Sequence, residues 1–122
     1  MKQEFIIGDI VMYKNRIHTI IDILASNGYE LSYVRHPVSP VRLSGVPLTP
    51  EILEKNGWKD DGYDWYRLPT KRAYLYITKD ITTLGEFLVC VGLDRHNLAS
   101  INFVHQLQHL LFGLNINHEM EV

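Results

Sequence analysis

The chain contains a single cysteine, Cys90, and no apolar run approaching the ~18 consecutive residues of a membrane-spanning helix. One cysteine excludes an intrachain disulfide framework and a paired-cysteine metal site. Because Cys90 lies in an apolar run, we interpret it as a packed side chain and not as a reactive thiol. The apolar residues Phe5–Ile7 are followed at once by Gly8 and Asp9, a run too short for a signal peptide. The sequence therefore predicts a soluble, cytoplasmic protein.

The chain also has little net charge, because 12 Lys and Arg residues stand against 14 Asp and Glu residues, giving −2. Such a protein lacks the broad positive surface typical of proteins that bind nucleic acid or anionic membranes, although this does not exclude a local basic patch. Catalytic signatures are missing as well, since no Gly-rich phosphate loop, nucleophile elbow or paired-carboxylate motif occurs. We therefore expect a non-enzymatic protein without a cofactor.

Charged residues are missing from the whole segment Asn97–Asn117. Within it, Phe103–Leu114 has the strongest helical periodicity of the sequence, with one apolar face and a polar face made of Asn102, His105, Gln106 and His109. A helix face open to water normally carries charges, so we expect this face to be covered by the N-terminal β-structure or by a second copy of the chain. His105 and Gln106 should then be mostly buried and hydrogen-bonded to groups distant in sequence.

His105 and His109 have the i, i+4 spacing of the two histidines in the HExxH motif of zinc proteases. Gln106 stands where that motif has its glutamate, and an amide cannot accept the proton of a metal-bound water, which excludes metalloprotease chemistry. A structural metal with His96 or His118 as third ligand stays open. The interpretation we favour is that no metal binds and that the two imidazoles hydrogen-bond to backbone on a partly covered face.

The N-terminal third of the chain has the alternation and turn residues of short strands. The predicted strands are Gly8–Tyr13, Ile17–Leu24 and Tyr29–Val34, with Val41–Leu43 as a fourth candidate. Lys14–Arg16 and the Asn27-Gly28 hairpin turn join the first three. A Gly-Asp-x-Val opening followed by meandering strands resembles the small SH3-like barrels of the KOW and Tudor kind over residues 8–45. The chain departs from that pattern by having no glycine in the first turn.

Residues 46–58 predict a short helix over Pro50–Asn56. Its ends are marked by the N-cap Thr49, by Pro50 in the first turn and by Gly57 after the last. Leu48 has the spacing of a hydrophobic staple on Leu53, and Trp58 has the spacing of a Schellman contact on the same residue. Leu53 is therefore expected to be buried and to hold both ends of the helix.

A second set of strands follows the short helix. It consists of Tyr63–Leu68, Arg72–Ile77 and Glu86–Val91, with turns at Asp61-Gly62 and Asp94–Asn97. Alternation in the middle strand places Leu75 and Ile77 on one face and Tyr74 and Tyr76 on the other. The start of the last helix stays open, because it has three alternative N-caps, Asn97, Ser100 and Asn102, and Ala99–Ile101 could be a short strand.

The aromatic side of this sheet is a candidate binding surface for single-stranded nucleic acid or a peptide. The candidate residues are Trp65, Arg67, Arg72, Tyr74 and Tyr76. Asp60, Asp61 and Asp64 lie in the same part of the sequence and would repel phosphate. An ordinary half-exposed sheet face is therefore the interpretation we favour.

Two segments carry motifs of a known kind. Residues 47–58 begin Pro-Leu-Thr and continue with Glu51, Leu53, Lys55 and Gly57-Trp58, and residues 104–114 begin VHQLQHL and continue with Phe112 and Leu114. They resemble the PLTEEWLLKFGF and YVHQLQNLYFAL stretches of an uncharacterised family of short proteins of Bacteroidota genomes, their prophages and other mobile elements. His109, Leu111 and Gly113 depart from that pattern. The resemblance implies a mobile-element origin and supplies no catalytic residues.

These observations predict an α+β fold. Residues 1–46 form an SH3-like β-meander lobe, and residues 47–122 contain the short helix, the antiparallel sheet and the C-terminal helix, all in one compact unit. The final helix is expected to be shared by the two sheets, with Pro50–Asn56 bridging them. The predicted function is a non-enzymatic binding or adaptor module of phage or mobile-element origin. Its partner would be an unknown protein, or a second copy bound through the uncharged helix; the alternative is a nucleic-acid-binding accessory protein using the barrel or the aromatic sheet.

Overall fold

The computed structural model describes residues 5–25, 28–71, 73–79, 86–92 and 94–122, and more than half of these residues lie in two antiparallel sheets and two α-helices. The predicted α+β class is confirmed. The chain divides into two units, the first made of Met1–Pro47 and Phe103–Met120, the second of Leu48–Asn102 and Glu121–Val122. None of the helices in these described ranges is long and apolar enough to cross a membrane.

The sheet of the first unit has the strand order β3-β2-β1-β4. Its strands are β1 (Ile10–Tyr13), β2 (Arg16–Ile23), β3 (Tyr29–Leu31) and β4 (Ser44–Gly45). Lys14 and Asn15 join β1 to β2 as predicted, and both have the positive φ of a two-residue hairpin turn, 49° and 62°. The predicted Asn27-Gly28 turn lies partly outside the described residues.

Two strand predictions in this unit were wrong. Val41–Leu43 was predicted as a strand, but Pro40–Arg42 is a short 3₁₀ helix closed by a hydrogen bond from the Leu43 N–H to the Pro40 carbonyl. The predicted strand Tyr29–Val34 ends early, because a turn with Tyr33 at φ 63° reverses the chain. The SH3-like barrel is not confirmed, since β3 and β4 end the sheet as its unjoined edges among the described residues.

The C-terminal helix α2 (Val104–Gly113) belongs to the first unit. Its N-terminus is anchored by the Val104 N–H, which donates to the Val46 carbonyl at 2.8 Å. None of the three predicted N-caps is used, because β9 occupies most of that segment and Phe103 is the N-cap. Val104, Leu107 and Leu111 are buried, as the apolar periodicity predicts.

The sheet of the second unit has the order β5-β6-β7-β8-β9, all antiparallel. Its strands are β5 (Lys59–Gly62), β6 (Trp65–Pro69), β7 (Tyr74–Lys79), β8 (Phe87–Val91) and β9 (His96–Ile101). Leu75, Ile77 and Val89 are buried on one face. The predicted alternation of β7 is therefore confirmed for that face.

The short helix α1 (Pro50–Lys55) forms as its sequence signals predict. The Thr49 hydroxyl accepts from the Ile52 N–H at 3.2 Å, which caps the first turn. At the other end, Gly57 has φ 88° and the Trp58 N–H donates to the Leu53 carbonyl, the six-to-one bond of a Schellman motif. Leu48, Leu53 and Trp58 are all buried. α1 belongs to the second unit.

Both predicted turns of the second sheet are displaced. Tyr63 and Asp64, with φ of 52° and 66°, join β5 to β6, whereas the predicted Asp61-Gly62 pair lies inside β5. Gly62 uses its positive φ of 83° where the β5–β6 register shifts, so the glycine serves a bulge and not the turn. The predicted turn Asp94–Asn97 comes earlier, closed by the Arg95 N–H donating to the Gly92 carbonyl.

The boundary between the two units falls after Pro47, beside the boundary expected between residues 46 and 47. Residues 103–120 are grouped with the N-terminal sheet; the sequence prediction counted them in the segment 47–122 and expected the helix to be shared by both sheets. The hydrogen-bond partners of Gln108 and His109 in α2 lie within the first unit.

Candidate functional sites

The first candidate site is the aromatic face of the second sheet. Strand register pairs Trp65 with Thr78 and Arg67 with Tyr76, which places these side chains on the face opposite the buried Leu75 and Ile77. The face contains four of the five predicted binding residues, Trp65, Arg67, Tyr74 and Tyr76. The fifth, Arg72, lies outside the described residues.

Arg95 joins this face, although the sequence predicted only a turn residue there. Its guanidinium carbon lies 4.5 Å from the ring centroid of Trp65 and 4.8 Å from that of Tyr76. A second such contact places the guanidinium of Arg67 5.0 Å from the Tyr74 ring centroid. Both guanidinium groups therefore cover aromatic rings in cation–π contacts.

One carboxylate binds both arginines. Asp61 Oδ1 lies 3.7 Å from Arg67 Nη1, and its Oδ2 lies 3.4 Å from Arg95 Nη2. All three side chains are partly exposed, so we expect each ion pair to add little stability. Asp61 contacts both guanidinium groups at once and offsets part of their charge.

Exposure on this face increases from its centre outward. Tyr76 is buried, Trp65 is half-buried and Tyr74 is 41% exposed. Tyr63, in the turn between β5 and β6, is 98% exposed. We call the set Tyr63, Trp65, Arg67, Tyr74, Tyr76 and Arg95 the aromatic–arginine face. Arrangements of this kind offer large, partly ordered side chains to a partner.

Cys90 lies on β8 opposite Asn97, and its pairing partner on the other side is Tyr76. The thiol is buried and Sγ donates to Asn97 Oδ1 at 3.2 Å. Burial raises the pKa of the Cys90 thiol, which keeps it protonated. These observations favour the predicted packed cysteine over a reactive one.

The second candidate site is a buried polar cluster between the start of β1 and helix α2 in the first unit. Asp9 is fully buried, and its Oδ2 lies 2.6 Å from His109 Nε2. The same oxygen accepts from the Ile6 N–H at 2.8 Å, while Oδ1 is buried without a partner among the described residues. Burial raises the pKa of Asp9, and the bonds from Ile6 and His109 offset only part of that effect.

His105 lies next to this pair and is buried as predicted. Its ring stacks on Phe103 at a centroid distance of 5.7 Å and contacts Phe5 at 4.9 Å. The space is tight, because a Cβ at Gly45 would lie 2.9 Å from the His105 ring. Burial, followed by the nearby His109, lowers the pKa of His105 to about 4. His105 is therefore a neutral, packed ring near pH 7.

Gln108, which the sequence analysis did not single out, also makes long-range polar contacts from α2. Its Oε1 accepts from the Ile10 N–H at 2.9 Å, and its Nε2 donates to the carbonyls of Gly8 and His118 at 2.9 and 3.0 Å. Gln106, for which such distant bonds were predicted, is half-buried and accepts from the Phe103 N–H, three residues earlier. That bond caps the start of the helix. The expected bond from Gln106 to groups distant in sequence stays a prediction.

The metal hypothesis for His105 and His109 gains no support from this geometry. Their ring centroids lie 5.7 Å apart at 73°, and Nε2 of His109 is already bound to Asp9. Within the described ranges, no group of three His, Cys, Asp or Glu side chains is placed to hold a metal ion. The bond that was predicted from these histidines to backbone is replaced, for His109, by a bond to a carboxylate. The hydrogen bonds of this cluster connect α2 to the start of β1.

Comparison with known proteins gave no significant match to this chain among protein-family models, curated proteins or solved structures.

Proposed function

We propose that this protein is a non-enzymatic binding module that docks a protein partner on the aromatic–arginine face of its second sheet. The observation that carries the proposal is the double role of Asp61, which holds the guanidinium groups of Arg67 and Arg95 while both cover aromatic rings. The face is thereby ordered before any partner arrives.

Residue types support a protein partner. Trp, Tyr and Arg are the side chains most enriched among the few residues that dominate binding energy at protein interfaces. Ordering such side chains on binding costs about 0.5–1.5 kcal/mol each, and the contacts of Arg67 and Arg95 reduce that cost in advance. Tyr63 and Tyr74 supply exposed aromatic area around them.

Stacking of nucleic acid bases is less compatible with this face. Trp65 and Tyr76 are contacted by the Arg95 guanidinium, so a base would have to displace it to reach their rings. Asp61 also offsets the positive charge that a phosphate would seek, with Asp60 and Asp64 adjacent in sequence. The proposed partner therefore offers apolar groups to the tyrosines and a carboxylate to the arginines.

The origin of the protein, its role as an adaptor and the SH3-like character of its first unit are further parts of the proposal. The phage or mobile-element origin and the adaptor role depend on the resemblance of residues 47–58 and 104–114 alone. The SH3-like character of the first unit is supported by its meander, in which β4 returns to pair with β1. Self-association through α2 is not retained, because Gln108 and His109 are bonded within their own unit.

Affinity capture with quantitative mass spectrometry tests the proposal. The bait is the tagged protein, expressed in the cells that encode it, and the variant is Tyr63→Asn combined with Tyr74→Thr. Tyr33→Asn is the matched control, because Tyr33 is equally exposed and has a similar positive φ, but lies in the first unit. We expect one protein to be retained by the wild type and the control and lost from the double variant. Equal retention by all three would contradict the proposal.

A further inference from the structure

The charges of the first unit are separated along its sheet. Its described residues contain four lysines and arginines, Lys14, Arg16, Arg35 and Arg42, and all four are exposed. Among the same residues, the acidic side chains are Asp9, Asp22, Glu30 and Glu119. The positions of these two sets on the strands decide which part of the sheet surface is positively charged.

Two of the cations, Lys14 and Arg16, lie at the turn between β1 and β2. Tyr13 pairs with Arg16 across this hairpin, and Lys14 lies in the turn with its Nζ 5.4 Å from the Tyr13 ring centroid. Strand β4 brings a third cation to the same end. Because Met12 pairs with Ser44 in antiparallel register, Arg42 extends beyond the sheet on the side of Lys14.

The reverse turn after β3 lies beside the same hairpin. The Ser32 N–H donates to the Thr19 carbonyl at 2.9 Å, and His18 Nδ1 lies 2.8 Å from the Ser32 carbonyl oxygen. Tyr33 follows at the tip of the turn and is fully exposed, and Arg35 comes two residues later. We call Lys14, Arg16, Tyr33, Arg35 and Arg42 the basic end of the first sheet.

The carboxylates of Asp9, Asp22 and Glu30 lie away from the β1–β2 turn at this end. Asp22 pairs with Glu30 at the other end of β2, six residues from Arg16, or about 20 Å along an extended strand. That separation from Arg16 exceeds the ~8 Å screening length at physiological salt, so these carboxylates leave Lys14 and Arg16 at the β1–β2 turn unneutralised. Asp9 is buried against His109, and among the described residues the salt bridges found include none of the four cations.

We propose that the basic end of the first sheet binds single-stranded nucleic acid. Its unpaired cations suit a chain of phosphates, and a local cluster can do so although the whole protein carries −2. Tyr33 decides between single strands and duplexes, because its uncovered ring can stack on an unpaired base but not on a base inside a duplex. The proposal is independent of the partner site on the second unit.

Fluorescence anisotropy with labelled oligothymidylate and oligouridylate of about 20 nucleotides tests this inference. We expect binding at about 50 mM salt that weakens as salt is raised, with a log–log slope of about −2 to −3 for three or four phosphate contacts. The two oligonucleotides separate a preference for DNA from one for RNA. Either preference supports the proposal.

Charge-reversal variants locate the site. Arg35→Glu combined with Arg42→Glu should weaken binding by about tenfold or more, because it removes two contacts and adds repulsion. Lys59→Glu combined with Lys79→Glu is the matched control, with the same charge change on exposed residues of the second sheet. Tyr33→Asn keeps a residue that tolerates positive φ and should weaken binding while leaving the salt slope unchanged.

Three results with the oligonucleotides would overturn the proposal. They are no binding of either oligonucleotide at low salt, equal weakening by the control pair, or binding of a duplex of the same length as tightly as the single strand. Vesicles containing phosphatidylserine provide the last comparison, and binding to them in preference to both oligonucleotides would show that the basic end recognises a membrane surface instead. Circular dichroism of each variant shows that the fold is retained.

Discussion

Oδ2 of Asp9 lies 2.6 Å from Nε2 of His109, which is 100 residues later in the chain. This bond joins the residue just before β1 to the middle of α2, and Gln108 adds three more bonds at the same place. Gln108 and His109 of α2 are thus hydrogen-bonded within the first unit. Charged side chains at these positions would be costly to bury, which explains why the helix carries none there.

Replacing Asp9 should measure how much the Asp9–His109 bond contributes to the free energy of unfolding. Asp9→Ala removes the bonds to His109 and to the Ile6 N–H, and we expect it to lower the free energy of unfolding by about 1–3 kcal/mol. Asp22→Ala is the control, because Asp22 is an exposed strand carboxylate, and it should change stability by less than about 0.5 kcal/mol. Urea unfolding of the two variants makes the comparison. Equal losses would mean that the buried pair contributes nothing particular.

The same substitution at Gln106 and at Gln108 compares the stability contributed by the capping glutamine with that contributed by the buried one. Gln108→Glu removes both donors to Gly8 and His118 and places a carboxylate in a fully buried position, so it should cost more than about 2 kcal/mol. Gln106→Glu keeps an oxygen that can accept from the Phe103 N–H at the start of the helix and should cost under about 1 kcal/mol. Thermal unfolding distinguishes them, and a larger loss for Gln106→Glu would refute this assignment.

His105 should make stability depend on pH. Its pKa is lowered from 6.5 to about 4 in the folded protein, chiefly by burial, so the unfolded chain binds more protons between these values. Stability is therefore lost as the pH falls from about 6.5 to about 4, by about 3 kcal/mol in total. The raised pKa of Asp9 acts in the opposite direction and is common to wild type and variant.

The comparison variant is His105→Gln, which cannot titrate. The difference in unfolding free energy between wild type and variant should shrink by about 3 kcal/mol as the pH is lowered from 7 to 4. Parallel curves for the two proteins would show that His105 is protonated as easily in the folded state as in the unfolded one.

Leu53 tests the packing of the second unit. It is fully buried in α1, with Leu48 and Trp58 buried on either side of it in sequence, and Leu53→Ala should cost about 2–5 kcal/mol through lost burial and an added cavity. Leu98→Ala serves as the control, because Leu98 is 39% exposed. A loss below about 1 kcal/mol in urea unfolding would show that Leu53 does not hold the helix.

Most of the correct predictions depended on residues that lie close together in sequence. Helix α1 formed between Thr49 and Gly57 because capping depends on residues within one turn of the helix ends. The β1–β2 turn and the two faces of β7 followed equally from short-range spacing. Such features need no knowledge of the rest of the chain.

Errors arose where one residue had two uses. Gly62 could serve a turn or a bulge, and the structure uses it for the bulge, which moves the turn to Tyr63. The contacts of Arg95 with Trp65 and of Gln108 with Gly8 join residues far apart in sequence, so no periodicity reveals them. The predicted set therefore contained Trp65, Arg67, Tyr74 and Tyr76, which share one face, but lacked Arg95.

Site-specific photo-crosslinking tests the proposed partner site most directly. A photoreactive phenylalanine analogue is placed singly at Tyr63, Tyr74 and the control Tyr33, and the cells that encode the protein are irradiated. The account predicts the same protein adduct from positions 63 and 74, none of it from position 33, and a reduced yield when Arg95→Gln is added, because Arg95 contacts Trp65 and Tyr76. An adduct of equal yield at all three positions, or none at 63 and 74, would contradict it.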